Sequence, residues 1–313
     1  MFITVGINKK LIYKLYKDCK VNMDIEKIKN TLSTKGYVVI PNVISKKKVE
    51  IAKEMFYKWQ KTIPNHSELH TIIDPHGIYK FHGAGHTKHA WYLRTQPEIQ
   101  EVFKKIWNCK KLITSFDGCC FISKDLIKSD KCWTHTDQAP NSKGVKCYQG
   151  YVALTSNKER TLRVYEGSHK LHEPYFKDRD IKGTKNWQKI DPEYLKTIDD
   201  TKRNLEVPAG SLVLWESRTF HQNQYGKPSS EERIVQYICM FPDNHEKNTR
   251  TIKNKRLKYF NERRTTSHWP APIYVNGLQP QTYGKAGLKI DYSKVKKYNF
   301  TDREMKFNIM KLL

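Results

Sequence analysis

Trp133-Thr134-His135-Thr136-Asp137-Gln138 is the stretch on which the reading turns. His135 and Asp137 stand two residues apart, and residues i and i+2 of a β-strand point to the same face. One imidazole and one carboxylate can therefore reach a single metal ion. A third ligand has to come from a distant strand. His221 in Trp215-Glu216-Ser217-Arg218-Thr219-Phe220-His221-Gln222-Asn223, 86 residues on, is the natural candidate. Two histidines and one carboxylate make the facial triad of non-haem Fe(II) oxygenases, which leaves coordination positions open for a co-substrate and O₂.

An open metal face needs something to hold the co-substrate. Arg233 lies 12 residues beyond His221 and opens the apolar run Arg233-Ile234-Val235-Gln236-Tyr237-Ile238, where a charge is out of place. A buried guanidinium wants a carboxylate, and its fork suits bidentate binding. The distal carboxylate of 2-oxoglutarate would supply one. Each element has a plainer reading when taken alone. H-x-D pairs meet on surfaces by chance, and His221 could be a satisfied core histidine. Arg233 could pair with Glu231, Glu232 or another acid. The order, the residue types and the β context on both sides favour the joint reading.

Around these residues the sequence reads as many short strands: Leu112–Phe116, Cys119–Ser123, Tyr148–Thr155, Leu162–Tyr165, Leu205–Val207, Ser211–Trp215 and Arg233–Phe241. Turn signals at Gly144, Gly167, Pro208-Ala209-Gly210 and Gly226-Lys227-Pro228 separate them. Such spacing argues for a β-sandwich or barrel. Helices precede it. Ile25, Ile28 and Leu32 fall at helical spacing with Gly36 as a stop, and Tyr37–Ile40 then reads as a strand. Ser45 caps a second helix carrying Val49, Ala52, Phe56 and Trp59. Pro97 starts a third, with Ile99, Val102, Phe103, Ile106 and Trp107 as its stripe. The expected division is a helical region over 1–111, a β-core over 112–245 and a basic extension over 246–313, in one catalytic domain.

The chain has 313 residues, with 57 Lys and Arg against 32 Asp and Glu, a formal net charge of +25. That balance suggests a polyanion partner. Its placement argues otherwise. Residues 1–61 carry a net +9 and residues 246–313 a net +11, leaving +5 for the middle. Only 12 of the basic residues are Arg, fewer than phosphate recognition often uses. The excess reads as compositional bias on the terminal elements, unless residues 246–264 cluster beside the open end of the core and recruit an anionic substrate. An apolar content of 38% supports a packed core rather than disorder. No apolar run is long enough to span a membrane, and the N-terminus does not read as a signal peptide. Seven cysteines, an odd number with no C-x-x-C pair, point to free thiols in a reducing setting. The expected location is intracellular and cytoplasmic.

Over roughly residues 34–242 the chain resembles the phytanoyl-CoA dioxygenase-like branch of the Fe(II)/2-oxoglutarate oxygenases. The likeness rests on Gly36-Tyr37-Val38-Val39-Ile40-Pro41, His135-Thr136-Asp137-Gln138, Gln149-Gly150-Tyr151-Val152-Ala153-Leu154, Gly167-Ser168-His169, and Gly210-Ser211-Leu212-Val213-Leu214-Trp215 leading into His221. Within the branch it looks most like a subgroup seen in microalgae and large DNA viruses. The resemblance implies an α+β chain with a double-stranded β-helix (jelly-roll, cupin-like) core, N-terminal helices packed on it, and a basic C-terminal extension. It implies that His135, Asp137 and His221 bind Fe(II) and that Arg233 holds 2-oxoglutarate. Asn223 and Gln149 would line the co-substrate pocket, and Trp133, Gln138 and Tyr151 would border the substrate. O₂ and, as an accessory reductant, ascorbate complete the expected set.

The implied activity is hydroxylation of a C–H bond in a small-molecule or lipid-like substrate, with succinate and CO₂ as co-products. The carboxylate of Asp137 occupies the position that related halogenases leave for halide, which favours hydroxylation. The loop Lys158-Glu159-Arg160-Thr161 and Glu166 ahead of Gly167-Ser168-His169 depart from the family pattern without touching a proposed ligand, and they weaken any transfer of substrate identity. Tyr79, His82, His86, Trp91, Tyr92 and Arg94 could form a lid, but packing is the better reading for most. Two other readings stay open: a non-catalytic protein binding nucleic acid or another polyanion through its basic ends, and a barrel holding another metal such as zinc.

Overall fold

The computed structural model describes residues 24–64, 66, 75–280 and 288–313. Cys19 and the N-terminal segment judged for a signal peptide lie outside the described residues. Asp24 caps α1 (Ile25–Lys35) by accepting from the Lys27 amide, and Gly36 closes it at a positive φ of 82°, donating to the Leu32 carbonyl. A Cβ at Gly36 would stand 2.5 Å from His169 Nδ1, so glycine is required there for space as well as for conformation. The chain turns directly into β1 (Tyr37–Ile40). Ser45 caps α2 (Lys46–Gln60), whose Val49, Ala52 and Phe56 are buried. α3 (Lys88–Arg94) and α4 (Pro97–Trp107) follow, the latter begun by Pro97 at its first turn. α1, α2 and α4 each bury one stripe in a core shared with the strands, and α3 is buried on most sides.

The strands are β2 (Ile78–Tyr79), β3 (Leu112–Thr114), β4 (Cys119–Ile122), β5 (His135–Thr136), β6 (Tyr148–Ala153), β7 (Leu162–Tyr165), β8 (Gln188–Lys189), β9 (Lys202–Asn204), β10 (Leu212–Glu216), β11 (His221–Asn223), β12 (Arg233–Tyr237) and β13 (Met240–Pro242). One sheet runs β1-β10-β6-β12-β4-β2 and a second β8-β5-β11-β7-β9, with β13 and β3 as a separate pair. Every pairing is antiparallel. Tyr151, Ala153, Val213, Trp215 and Val235 of the first sheet pack with Leu162 and Val164 of the second, so an apolar layer lies between the two. The fold is thus mixed α and β with antiparallel sheets.

Two expectations need correction. Leu205–Val207 is not a strand: the pairing segment is β9, just before it, and Val207 makes a single bridge with Asn157. The run Arg233–Phe241 is two strands, because Ile238 turns its amide to Gly150 and the Cys239 carbonyl goes to Ser115. Short helices α5 (His172–Asp178) and α6 (Pro192–Thr197) interrupt the β region. The C-terminal stretch adds α7 (Arg250–Asn261) and α8 (Arg303–Met310). Part of it packs on the β-core. Arg256 is fully buried, donating to Asn248 and to the Pro270 and Leu313 carbonyls, and Trp269 and Ala271 join an apolar cluster with Phe241.

Candidate metal centre and its cavity

β5 and β11 are antiparallel neighbours, and His135 faces His221 across them. Asp137 follows β5 directly, its amide and the Thr136 hydroxyl both tied to the Ser217 carbonyl. This brings His135 Nε2 to 3.6 Å and His221 Nε2 to 3.3 Å from Asp137 Oδ2. One donor atom from each residue lies within 4.8 Å of the others. His135 Nδ1 lies 3.2 Å from the Trp133 carbonyl and His221 Nδ1 2.9 Å from the Thr219 carbonyl. A carbonyl can only accept, so both Nδ1 atoms carry the proton and both Nε2 lone pairs face the shared centre. Gln149 Nε2 donates to Asp137 Oδ2 at 3.0 Å and fixes the carboxylate.

The electrostatics suit a cation. Burial lowers the pKa of His135, helped by His221 and opposed by Asp137, so its imidazole stays neutral. Burial would raise the pKa of Asp137, but the surrounding imidazoles of His135, His268 and His221 hold it well below the usual carboxylate range. The result is a neutral imidazole at His135 and an ionised carboxylate at Asp137, as metal binding requires.

Arg233 is fully buried at the start of β12. Its Nη1 donates to Asn223 Oδ1 at 2.8 Å, and its guanidinium lies over the Tyr151 ring at 5.4 Å. Its Nε and Nη2 have no partner. Neither neighbouring acid pairs with it. Glu231 accepts from the amides of Lys158, Glu159 and Arg160, which also accounts for the shape of that loop, and Glu232 accepts from the Tyr57 hydroxyl. Asn223 also donates to the Tyr237 hydroxyl, and its carbonyl receives the Trp133 indole N–H.

A cavity of about 720 Å³ opens over the triad. Trp133, Gln149 and Asn223 line it with the three candidate ligands. Gln138 and Tyr151 do not. Gln138 donates to the Ser142 and Gly144 carbonyls and accepts from Ser217, which makes it a bracket for the following loop. Tyr151 is core beneath Arg233. Of the lid candidates, Tyr79, His82, His86, Trp91 and Arg94 are buried in packing and Tyr92 is partly so. Ser168 and His169 are also structural: Ser168 links the Tyr165 carbonyl to the Phe220 amide, and His169 reaches the Ser33 carbonyl.

Several lining residues had no sequence signal. His76 stacks on Trp133 at 3.6 Å, Trp133 stacks on His135, and Trp187 stacks on the other side of His135 at 5.4 Å. Asp117 is pushed up to about 7, by burial first, against the pull of the Gly118 amide, Arg94 and Lys80. His268 is pulled down to about 4 by burial, and its Nε2 has no partner. All four lie in segments without a regular apolar period. The sole cue near His268 is the rigid Trp269-Pro270-Ala271-Pro272 that follows it. Among the described residues the cationic side chains lining this cavity are Lys80 and Lys185, and nothing from 246–264 reaches it.

The sequence pattern of the family described as phytanoyl-CoA dioxygenase (PhyH) matches residues 32–224, more than half of the chain and both histidines with the carboxylate between them. The chain belongs to the phytanoyl-CoA dioxygenase family. A relative, "Ava biosynthesis cluster protein O" of Aspergillus versicolor, is 28% identical over 233 residues, covering 66% of this chain and 74% of that protein. Among solved structures, GlcNAc Inducible Gene 2, GIG2 (DUF1479), from Candida albicans superposes with a TM-score of 0.64 at 17% identity. That match covers 95% of this chain and 78% of the other, and it shows that the two share a fold. EctD from S. alaskensis, solved with 2-oxoglutarate and 5-hydroxyectoine, gives a TM-score of 0.48 at 12% identity over 71% of this chain and 77% of its own. As a PhyH-family member with a candidate His-Asp-His metal site, the chain is a non-haem iron oxygenase of the 2-oxoglutarate-dependent type. Among its described residues no helix is long and apolar enough to cross a membrane.

Proposed function

We propose that the protein is an Fe(II)- and 2-oxoglutarate-dependent dioxygenase that hydroxylates a C–H bond of a small molecule, on a double-stranded β-helix core. The observation that carries the reading is the convergence of His135 Nε2, Asp137 Oδ2 and His221 Nε2, with a partnerless guanidinium at Arg233 in the same core. The donor set fits the metal: two nitrogens and one oxygen on one side, and a cavity rather than protein on the other. Bound Fe(II) with 2-oxoglutarate and O₂ supplies the oxidising power, with succinate and CO₂ as co-products.

The chain's own residues supply geometry. The Trp133 and Thr219 carbonyls fix the tautomers of His135 and His221, and Gln149 keeps the Asp137 carboxylate turned to the metal. Arg233, aligned by Asn223, offers Nε and Nη2 as a fork for the distal carboxylate of 2-oxoglutarate. Trp133, Trp187 and Trp215 give the cavity apolar rings beside the two histidines, while Asp117, Lys80 and His268 offer hydrogen bonds to a substrate. Anaerobic Fe(II) loading followed by 2-oxoglutarate and air tests the proposal. Succinate formation lost in His135→Ala and Asp137→Ala supports it, and an iron-loaded protein that neither binds nor consumes 2-oxoglutarate overturns it.

A further inference from the structure

A second cavity, of about 400 Å³, shares no lining residue with the first. One wall is the outer side of α2, with Ile51, Met55 and Trp59, and the opposite wall comes from Leu278 and Val295 of the C-terminal stretch. Its lining is therefore largely apolar. His82 also lines it. That residue is buried, sits at a positive φ of 55°, and leaves Nδ1 without a partner. Burial alone pulls its pKa down to about 4, so the ring is a neutral hydrogen-bonding group in an apolar slot.

Charge surrounds the slot. Lys58, Lys88, Arg263, Lys296 and Lys297 stand along its edge against two acids, Glu54 and Glu262. Glu54 is already paired with Lys58 at 2.6 Å, and Glu262 lies 3.9 Å from Lys258. No ion pair of Lys88, Arg263, Lys296 or Lys297 occurs among the described residues. The chain's positive excess lies in its two ends, and both ends contribute here: Lys58 from residues 1–61, and Arg263, Lys296 and Lys297 from residues 246–313, with Lys88 added from the middle. Compositional bias alone does not call for cations around an apolar slot.

We propose that this cavity binds an amphiphilic anion, a single alkyl or acyl chain carrying a carboxylate, with the chain between α2 and the C-terminal stretch and the head among the lysines. An apolar pocket with few convergent polar groups is the usual form of a small-molecule site, and the uncompensated cations select the sign of the head group. The proposal is independent of the metal centre.

Dodecanoate below its micellar concentration, titrated into the full chain by calorimetry with and without saturating 2-oxoglutarate, tests it. The expected result is saturable binding of one molecule per chain that 2-oxoglutarate does not displace. Affinity falls about fourfold for each methylene removed on going to decanoate and octanoate. Lys296 and Lys297 are exposed, so Lys296→Glu with Lys297→Glu leaves the fold intact, as an unchanged melting temperature verifies. That double variant weakens binding about tenfold, and Lys296→Arg with Lys297→Arg restores it. The proposal is overturned if dodecanoate does not saturate, if dodecyltrimethylammonium binds equally well, if acetate alone binds as tightly, or if charge reversal leaves the affinity unchanged.

Discussion

Replacing Arg233 by methionine separates a co-substrate anchor from a structural arginine. The guanidinium is fully buried, keeps one bond to Asn223 and leaves Nε and Nη2 unpartnered. An uncompensated buried charge contributes nothing to stability, and an apolar side chain of similar length in its place is often neutral or stabilising. Against that stands the lost Asn223 bond, about 1 kcal/mol. Urea unfolding of Arg233→Met without ligand should therefore fall within about 1 kcal/mol of the parent. 2-Oxoglutarate binding should change far more. Two charge-assisted bonds at about 1.5–3 kcal/mol each amount to about 3–6 kcal/mol, a loss of roughly two to four orders of magnitude in affinity. Calorimetry with Mn(II) in place of Fe(II) reads this without turnover. The reasoning is refuted if Arg233→Met binds 2-oxoglutarate within threefold of the parent. It is equally refuted if the ligand-free variant loses several kcal/mol, since the guanidinium would then be satisfied within the protein itself.

Three other outcomes follow from the geometry. Gln149→Leu removes the donor to Asp137 Oδ2 and should weaken metal binding about 10- to 100-fold with little change in melting temperature, measured by competition with a chromogenic chelator. Gly150→Ala places a Cβ 2.7 Å from the Val213 carbonyl and 2.5 Å from Leu214, and should cost about 1–3 kcal/mol in urea unfolding; an unperturbed midpoint would contradict the strand packing described. His89 is fully buried and held down to about 3, by burial and by the Arg94 cation. Unfolded, it titrates near 6.5, so between these values the unfolded chain binds the extra proton and stability falls as pH drops. From pH 7 to pH 5 the parent should lose about 2 kcal/mol more than His89→Gln, and equal losses would show that His89 is not buried as a neutral ring.

The site was legible where the backbone period carries it. The spacing of two puts His135 and Asp137 together at β5, and the pairing of β11 with β5 brings His221 to them. Arg233 stood out because a charge opened an apolar strand. Gln138 was legible as a neighbour of the ligands but not in its direction. Its side chain serves the Ser142 and Gly144 carbonyls of its own loop, a choice made by tertiary contacts. His76, Asp117, Trp187 and His268 reach the cavity from segments with no period to read, and their approach is set by tertiary contacts far apart in sequence. For the same reason α7 and its buried Arg256 were hidden within a segment that looked only basic. The strand break at Ile238 and Cys239 lay inside an unbroken apolar run, where the sequence offers no turn residue.

The central claim is that His135, Asp137 and His221 hold Fe(II) for 2-oxoglutarate-dependent chemistry. Its most direct test is succinate formation by the anaerobically Fe(II)-loaded protein given 2-oxoglutarate and O₂, compared with Asp137→Ala prepared in the same way. The account predicts Fe(II)-dependent succinate from the parent and none above background from the variant. Turnover that survives Asp137→Ala, or an Fe(II)-loaded parent that leaves 2-oxoglutarate unbound and intact, would contradict it.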